Sequence, residues 1–144
     1  MKTLILLLIL LFLISGCAKY ADCDSDITCF QNYAKTCTKS KLFTNHDGNT
    51  ILTTLRGVND NKCGISFKIT GVSEAIKNSY PNEASELKGK TLNCFVPLEY
   101  KDNNKVLDLT EVSQKLDEYC TGQIKDIMKG PLKEILKNQL TKYE

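Results

Sequence analysis

Thr50-Ile51-Leu52-Thr53-Thr54-Leu55-Arg56-Gly57-Val58, then Asn59-Asp60-Asn61-Lys62, then Cys63-Gly64-Ile65-Ser66-Phe67-Lys68-Ile69-Thr70, is the stretch whose pattern decides the fold. In its second run Cys63, Ile65, Phe67 and Ile69 share one side, while Gly64, Ser66, Lys68 and Thr70 share the other. A period of two is the signature of a half-buried strand, because successive side chains on an extended backbone point to opposite faces. The first run is rich in threonine and aliphatics, and the polar residues between the runs suit a turn. The stretch therefore predicts an antiparallel hairpin with one buried face.

On the N-terminal side, Asn45-His46-Asp47-Gly48-Asn49 reads as a tight turn, since Asn, Asp and Gly tolerate positive φ. Before it, Ile27, Phe30, Ala34 and Cys37 recur on one helical face, which predicts a helix over 27–39 capped by Ser25 or Asp26. Asp22-Cys23-Asp24-Ser25-Asp26 has the alternating oxygens of a calcium loop. It fails that reading, because Ile27 and Tyr33 stand where an EF-hand needs glycine and glutamate.

On the C-terminal side, Ser73 to Lys90 is polar and contains Pro81, which predicts a surface excursion with a helical turn or two. A third strand follows over Thr91 to Tyr100, with Leu92, Cys94, Val96, Leu98 and Tyr100 on one face. Pro97 lacks an N–H, so this strand is expected at an edge or free on one side there. Asp102-Asn103-Asn104-Lys105 reads as a turn and Val106 to Leu107 as a short return strand. Asp108-Leu109-Thr110-Glu111 fits an acidic capping box, and Val112, Leu116, Tyr119, Cys120, Ile124 and Ile127 continue at helical spacing. Gly130-Pro131 interrupts that second long helix, and residues 128–144 read as a semi-independent amphipathic tail. The expected fold is α+β: a small antiparallel sheet of three to four strands, stapled by disulfides and packed against an N-terminal helix and C-terminal helices. Its order of helix, hairpin and strand is similar to that of cystatin-like folds, a likeness of architecture that carries no function.

The first residues read differently. Lys2 precedes a nearly unbroken apolar run from Thr3 to Ile14, the layout of an export signal. Those 12 residues, at about 1.5 Å each, reach only about 18 Å and fall short of a bilayer core of roughly 30 Å. Ile14-Ser15-Gly16-Cys17 then resembles the lipobox of bacterial lipoproteins, also found in some archaea. The resemblance covers the first 17 positions and implies cleavage after Gly16, attachment of diacylglycerol to the Cys17 sulfur, and two or three acyl chains (palmitate or the like) holding the chain to a membrane. On that reading 1–16 is the signal peptide, 17–24 a lipidated tether, and 25–144 a single domain.

Removing the first 16 of 144 residues leaves 128, enough for one core. Loss of Lys2 takes the net charge from +2 to +1, too near neutral to suggest nucleic-acid binding. Lipidation consumes one of the seven cysteines, and Cys23, Cys29, Cys37, Cys63, Cys94 and Cys120 remain as an even set. That suits three disulfides in an extracytoplasmic compartment, periplasm or cell surface. Their spacings lack the C-x2-C knuckles of a zinc site or a redox pair, so no metal and no cofactor is expected. Cys37, Cys63, Cys94 and Cys120 fall in phase with apolar neighbours, which suggests bridges from helix to sheet, while Cys23 and Cys29 are placed to close a small loop.

No catalytic motif stands out. His46 is the only histidine and sits in a turn, and neither G-x-S-x-G nor H-E-x-x-H occurs. The leading expectation is a membrane-anchored, non-catalytic binding module for a protein or small ligand. The alternatives are an envelope hydrolase using a carboxylate pair, Glu83 with Glu86 or Asp117 with Glu118, and a structural lipoprotein that recruits partners through its C-terminal helix.

Overall fold

The computed structural model describes residues 19–101, 104–107 and 115–127. The signal, Cys17, the capping box at 108–111 and the tail at 128–144 lie outside the described residues. In chain order the elements are β1 (Ala21–Asp22), α1 (Ile27–Lys35), β2 (Ser40–His46), β3 (Asn49–Asn59), β4 (Lys62–Gly71), α2 (Glu74–Ser79), α3 (Pro81–Leu87), β5 (Thr91–Pro97), β6 (Glu99–Lys101), β7 (Asn104–Val106), α4 (Leu116–Tyr119), β8 (Cys120–Thr121) and α5 (Gln123–Ile127). The α+β class holds, but the sheet is larger than expected and mixed. Its order is β1-β2-β3-β4-β5-β8, with β1 parallel to β2 and the other pairs antiparallel.

Two tight turns carry the central meander. Asp47 and Gly48 (φ 51° and 79°) join β2 to β3, and Asp60 and Asn61 (φ 48° and 62°) join β3 to β4. Two successive residues at positive φ make the turn whose twist matches a right-handed hairpin, and Asp, Asn and Gly adopt it most readily. The polar clusters in the sequence mark these turns. The flanking pattern sets the register, with Ile51, Leu55, Ile65 and Phe67 all turned into the core.

The extra strands escaped the sequence for identifiable reasons. Strand β2 turns Ser40 and Leu42 inward and leaves Phe43 outside at 44% exposure, so its hydropathy does not alternate. Strands β1 and β8 are two residues each, too short for any period. Residues Ala21 and Asp22, expected in a tether, instead pair with the edge of β2, where the Ala21 N–H donates to the Lys39 carbonyl at 3.0 Å.

Helix α1 begins as expected, the Asp26 carboxylate accepting from the Cys29 N–H at 3.0 Å. It ends four residues early. Cys37 adopts φ 50°, its N–H donates to the Ala34 carbonyl, and the Thr38 N–H donates to that of Tyr33. This is a Schellman stop, a conformation glycine usually takes. Here it belongs to a cysteine bonded across to β4, so no glycine marks the boundary.

A second correction concerns the helix expected over 112–127. Its described part is broken: α4 gives way to the strand Cys120–Thr121, and α5 starts only after Gly122. Cys120 stands directly opposite Cys94 on β5 and is bonded to it. A cysteine drawn into a ladder position cannot also continue a helix. Gly122 sits at φ 123°, and a Cβ there would lie 2.6 Å from the Thr91 carbonyl oxygen. Strand β5 likewise stops at Pro97, three residues before the expected end, and β6 and β7 form a separate two-stranded ribbon.

One core runs from Cys23 to Ile124, gathering Phe30, Leu42, Leu55, Ile65 and Val96 between the sheet and its helices. Each such side chain contributes about 1.5–3 kcal/mol when fully buried. The excursion after β4 is two short helices rather than mere surface, because Leu87 joins that core and Ala84 is buried with it. The described helices all contribute their buried side chains to this one core, so among the described residues no helix packs on the other side of the sheet.

Candidate functional site: the open face of the sheet

Strands β2 to β5 contain no aspartate and no glutamate, and four lysines or arginines: Lys41, Arg56, Lys62 and Lys68. Register puts Lys41, Lys62 and Lys68 on the side away from the core, and the contact of Arg56 with the Phe95 ring puts it there as well. Lys41 stands opposite Thr54, which continues to Ser66 and Asn93; Lys68 joins Leu52 and Thr91; and Lys62 faces Pro97. The stem of Lys39 adds a fifth cation, lying over Gly57 where a Cβ would meet its Cγ at 3.4 Å. At about 4.8 Å between strands and 3.4 Å along them, Lys39, Lys41, Arg56 and Lys62 have neighbours roughly 5–8 Å away, and Lys68 stands roughly 12–14 Å from the nearest of them. Among the described residues the carboxylate at its edge is Asp22, opposite Lys41, and it accepts from the Asp24 N–H at 3.1 Å.

Arg56 is the most constrained of these groups. It occupies a bulge in β3, where the register shifts between Leu55 and Gly57. Gly57, at φ 91°, is the residue that lets the backbone bend there. The side chain crosses β4 over Gly64, whose missing Cβ would lie 3.3 Å from Arg56 Cβ and 3.6 Å from its Nε. It ends 5.1 Å from the centroid of the Phe95 ring on β5. Arg56 Nε and Nη2 are buried without a hydrogen-bond partner. The ring face supplies about 0.5–1 kcal/mol of cation–π attraction, less than two hydrogen bonds to an anionic oxygen would. The guanidinium is thus fixed in place with unused donor capacity. Lys41 is seated similarly, its Nζ 5.3 Å from the Tyr20 ring centroid.

Other candidate residues do not converge. His46 closes β2, with Nδ1 2.7 Å from Asp47 Oδ2 in an exposed turn. Glu83 and Glu86 are exposed on α3, and Asp117 and Glu118 are exposed on α4. A cleft of about 450 Å³ lies between the end of β4 and α2–α3, lined by Val72, Pro81 and Ala84 with Lys77 and Lys88. The acidic residues above do not line it, and its Ser85 hydroxyl donates to the Asn82 carbonyl of its own helix at 2.7 Å. Among the described residues no group of three or more His, Cys, Asp or Glu side chains is placed to hold a metal ion.

The six cysteines pair as Cys23–Cys29, Cys37–Cys63 and Cys94–Cys120. The first closes the small loop at the start of α1, the second ties the end of α1 to β4, and the third joins two strands rather than helix to sheet. Three bridges indicate an oxidising, extracytoplasmic environment. Among the described residues no helix is long and apolar enough to cross a membrane. Compared with protein-family models, with curated proteins and with solved structures, the chain matches none.

The signal for the open face was present in the sequence as the absence of carboxylates from 40–71 and 91–97, apart from Asp47 and Asp60 in the turns. Which cations share a side depended on β2 and on the bulge, and neither was legible.

Proposed function

We propose that the protein is a membrane-anchored, extracytoplasmic binding module that works by contact rather than catalysis, with the open sheet face as its working surface. One observation carries this: every lysine and arginine of the four central strands lies on the face away from the described helices, with no carboxylate from those strands among them. Charge of one sign on a flat, hydroxyl-lined surface attracts an anionic partner and repels a cationic one. The lipobox-like Ile14-Ser15-Gly16-Cys17 supports the anchor, and the three disulfides support the compartment.

The test is mass spectrometry of the chain recovered from its native membranes after light treatment with an amine cross-linker. The expected N-terminal peptide starts at an acylated Cys17, and cross-links concentrate on Lys41, Lys62 and Lys68. An unacylated N-terminus would refute the anchor. Cross-links confined to Lys35, Lys77 and Lys88, on the helical side, would refute the working surface.

A further inference from the structure

We propose that the partner of the open face is the anionic phospholipid surface to which the chain is tethered, so that the domain lies face-down on the headgroups. This rests on the lipid anchor proposed above and adds an orientation and a ligand to it. The tether is short. From Cys17 to Tyr20 the chain spans three residues, at most about 10 Å. Tyr20 already sits at the sheet edge beneath Lys41, and the next two residues form β1, flanked by hydrogen bonds from the Ala21 and Cys23 N–H groups to the Lys39 and Lys41 carbonyls. The domain therefore has no slack to stand away from the bilayer, and the edge held nearest to it begins the cationic face.

The chemistry of that face suits headgroups. Five cations distributed over three strands, with Lys62 and Lys68 about 20 Å apart along β4, match several separate phosphates better than one small anion. Phe43 and Phe95, each 44% exposed on the same face, supply aromatic rings for the interfacial layer. Arg56, held over Gly64 and against the Phe95 ring, adds its positive charge at the middle of the face. Lys35 and Lys88, on α1 and after α3, belong to the opposite side and stay in water.

The experiment reconstitutes the full lipoprotein into vesicles of phosphatidylcholine alone or with phosphatidylglycerol, and compares amine acylation of each lysine by mass spectrometry. A cation near an anionic surface gains about fivefold in occupancy, so labelling at Lys41 and Lys68 falls about fivefold with phosphatidylglycerol. Labelling at Lys35 and Lys88 is unchanged, and the protection disappears near 0.5 M salt. The Arg56→Glu/Lys68→Glu variant, exposed to solvent at both positions in whole or part, loses the protection at Lys41. Equal labelling of Lys41 and Lys68 in both vesicle types overturns the proposal. Protection by soluble dextran sulfate but not by vesicles overturns it in favour of an acidic glycan. A chain without acyl mass refutes the anchor separately. The same chain mixed with the vesicles then tests the face alone: sedimentation with phosphatidylglycerol only supports it, and no sedimentation overturns it.

Discussion

Replacing Cys37 and Cys63 together by alanine removes the bridge that pins the end of α1 to the middle of the sheet. The bonded residues are 26 apart, and opening a loop of that length returns about 3.5 kcal/mol of chain entropy to the unfolded state. Both cysteines are buried, at 2% and 0% exposure, so lost packing adds to that figure. The matched control is Cys23→Ala with Cys29→Ala. Its loop spans only 6 residues, which gives about 2 kcal/mol, and Cys29 is only partly buried. Urea unfolding followed by far-ultraviolet circular dichroism, extrapolated linearly to water, reads both differences. The expected order is a larger loss for Cys37/Cys63 by more than about 1 kcal/mol, with a midpoint lower by of the order of 10 °C on heating. Should the short-loop pair cost as much or more, loop length would not govern these bridges and the reasoning would be refuted.

Three further outcomes are expected. Gly122→Ala places a Cβ 2.6 Å from the Thr91 carbonyl oxygen at a φ of 123°, and should cost about 1–3 kcal/mol in the same unfolding assay; a neutral result would show that β8 does not lie against β5. Asp26→Ala removes the acceptor for the Cys29 N–H and should cost about 0.5–2 kcal/mol, whereas Asp26→Asn keeps a capping oxygen and should stay within a few tenths of wild type. Gly64→Val fills the lane beneath Arg56 and should lift the guanidinium off Phe95. Loss of the ring-current shift on the Arg56 δ-protons in NMR spectra checks that, and an unchanged shift would contradict the geometry.

Much of the architecture was legible because it follows from local chemistry. The period-two run over Cys63 to Ile69 carries its own burial pattern, so β4 and its core face could be read directly. Asp47-Gly48 and Asp60-Asn61 tolerate the positive φ that two-residue turns require, and Asp26 stands one residue before an amphipathic run. Both turns and the cap are where the sequence places them.

The misses share one cause, a long-range constraint overriding local preference. Residues Leu116 to Ile127 keep helical spacing, yet Cys120 is extended because its partner on β5 and the backbone at Thr91 hold it there. Lys39 belongs to a plausible helix by pattern, yet Cys37 turns left-handed to reach Cys63.

The α+β class, the central hairpin and its turns were readable along the chain, since each depends on side-chain period or intrinsic φ preference over a few residues, and the even set of cysteines is a matter of composition. The number of strands, the pairing of Cys37 with Cys63 and of Cys94 with Cys120, and the gathering of Lys39, Lys41, Arg56, Lys62 and Lys68 on one face came only with the folded chain. Those depend on which segments meet across the sheet, and strand pairing between distant residues leaves no periodic trace along the chain.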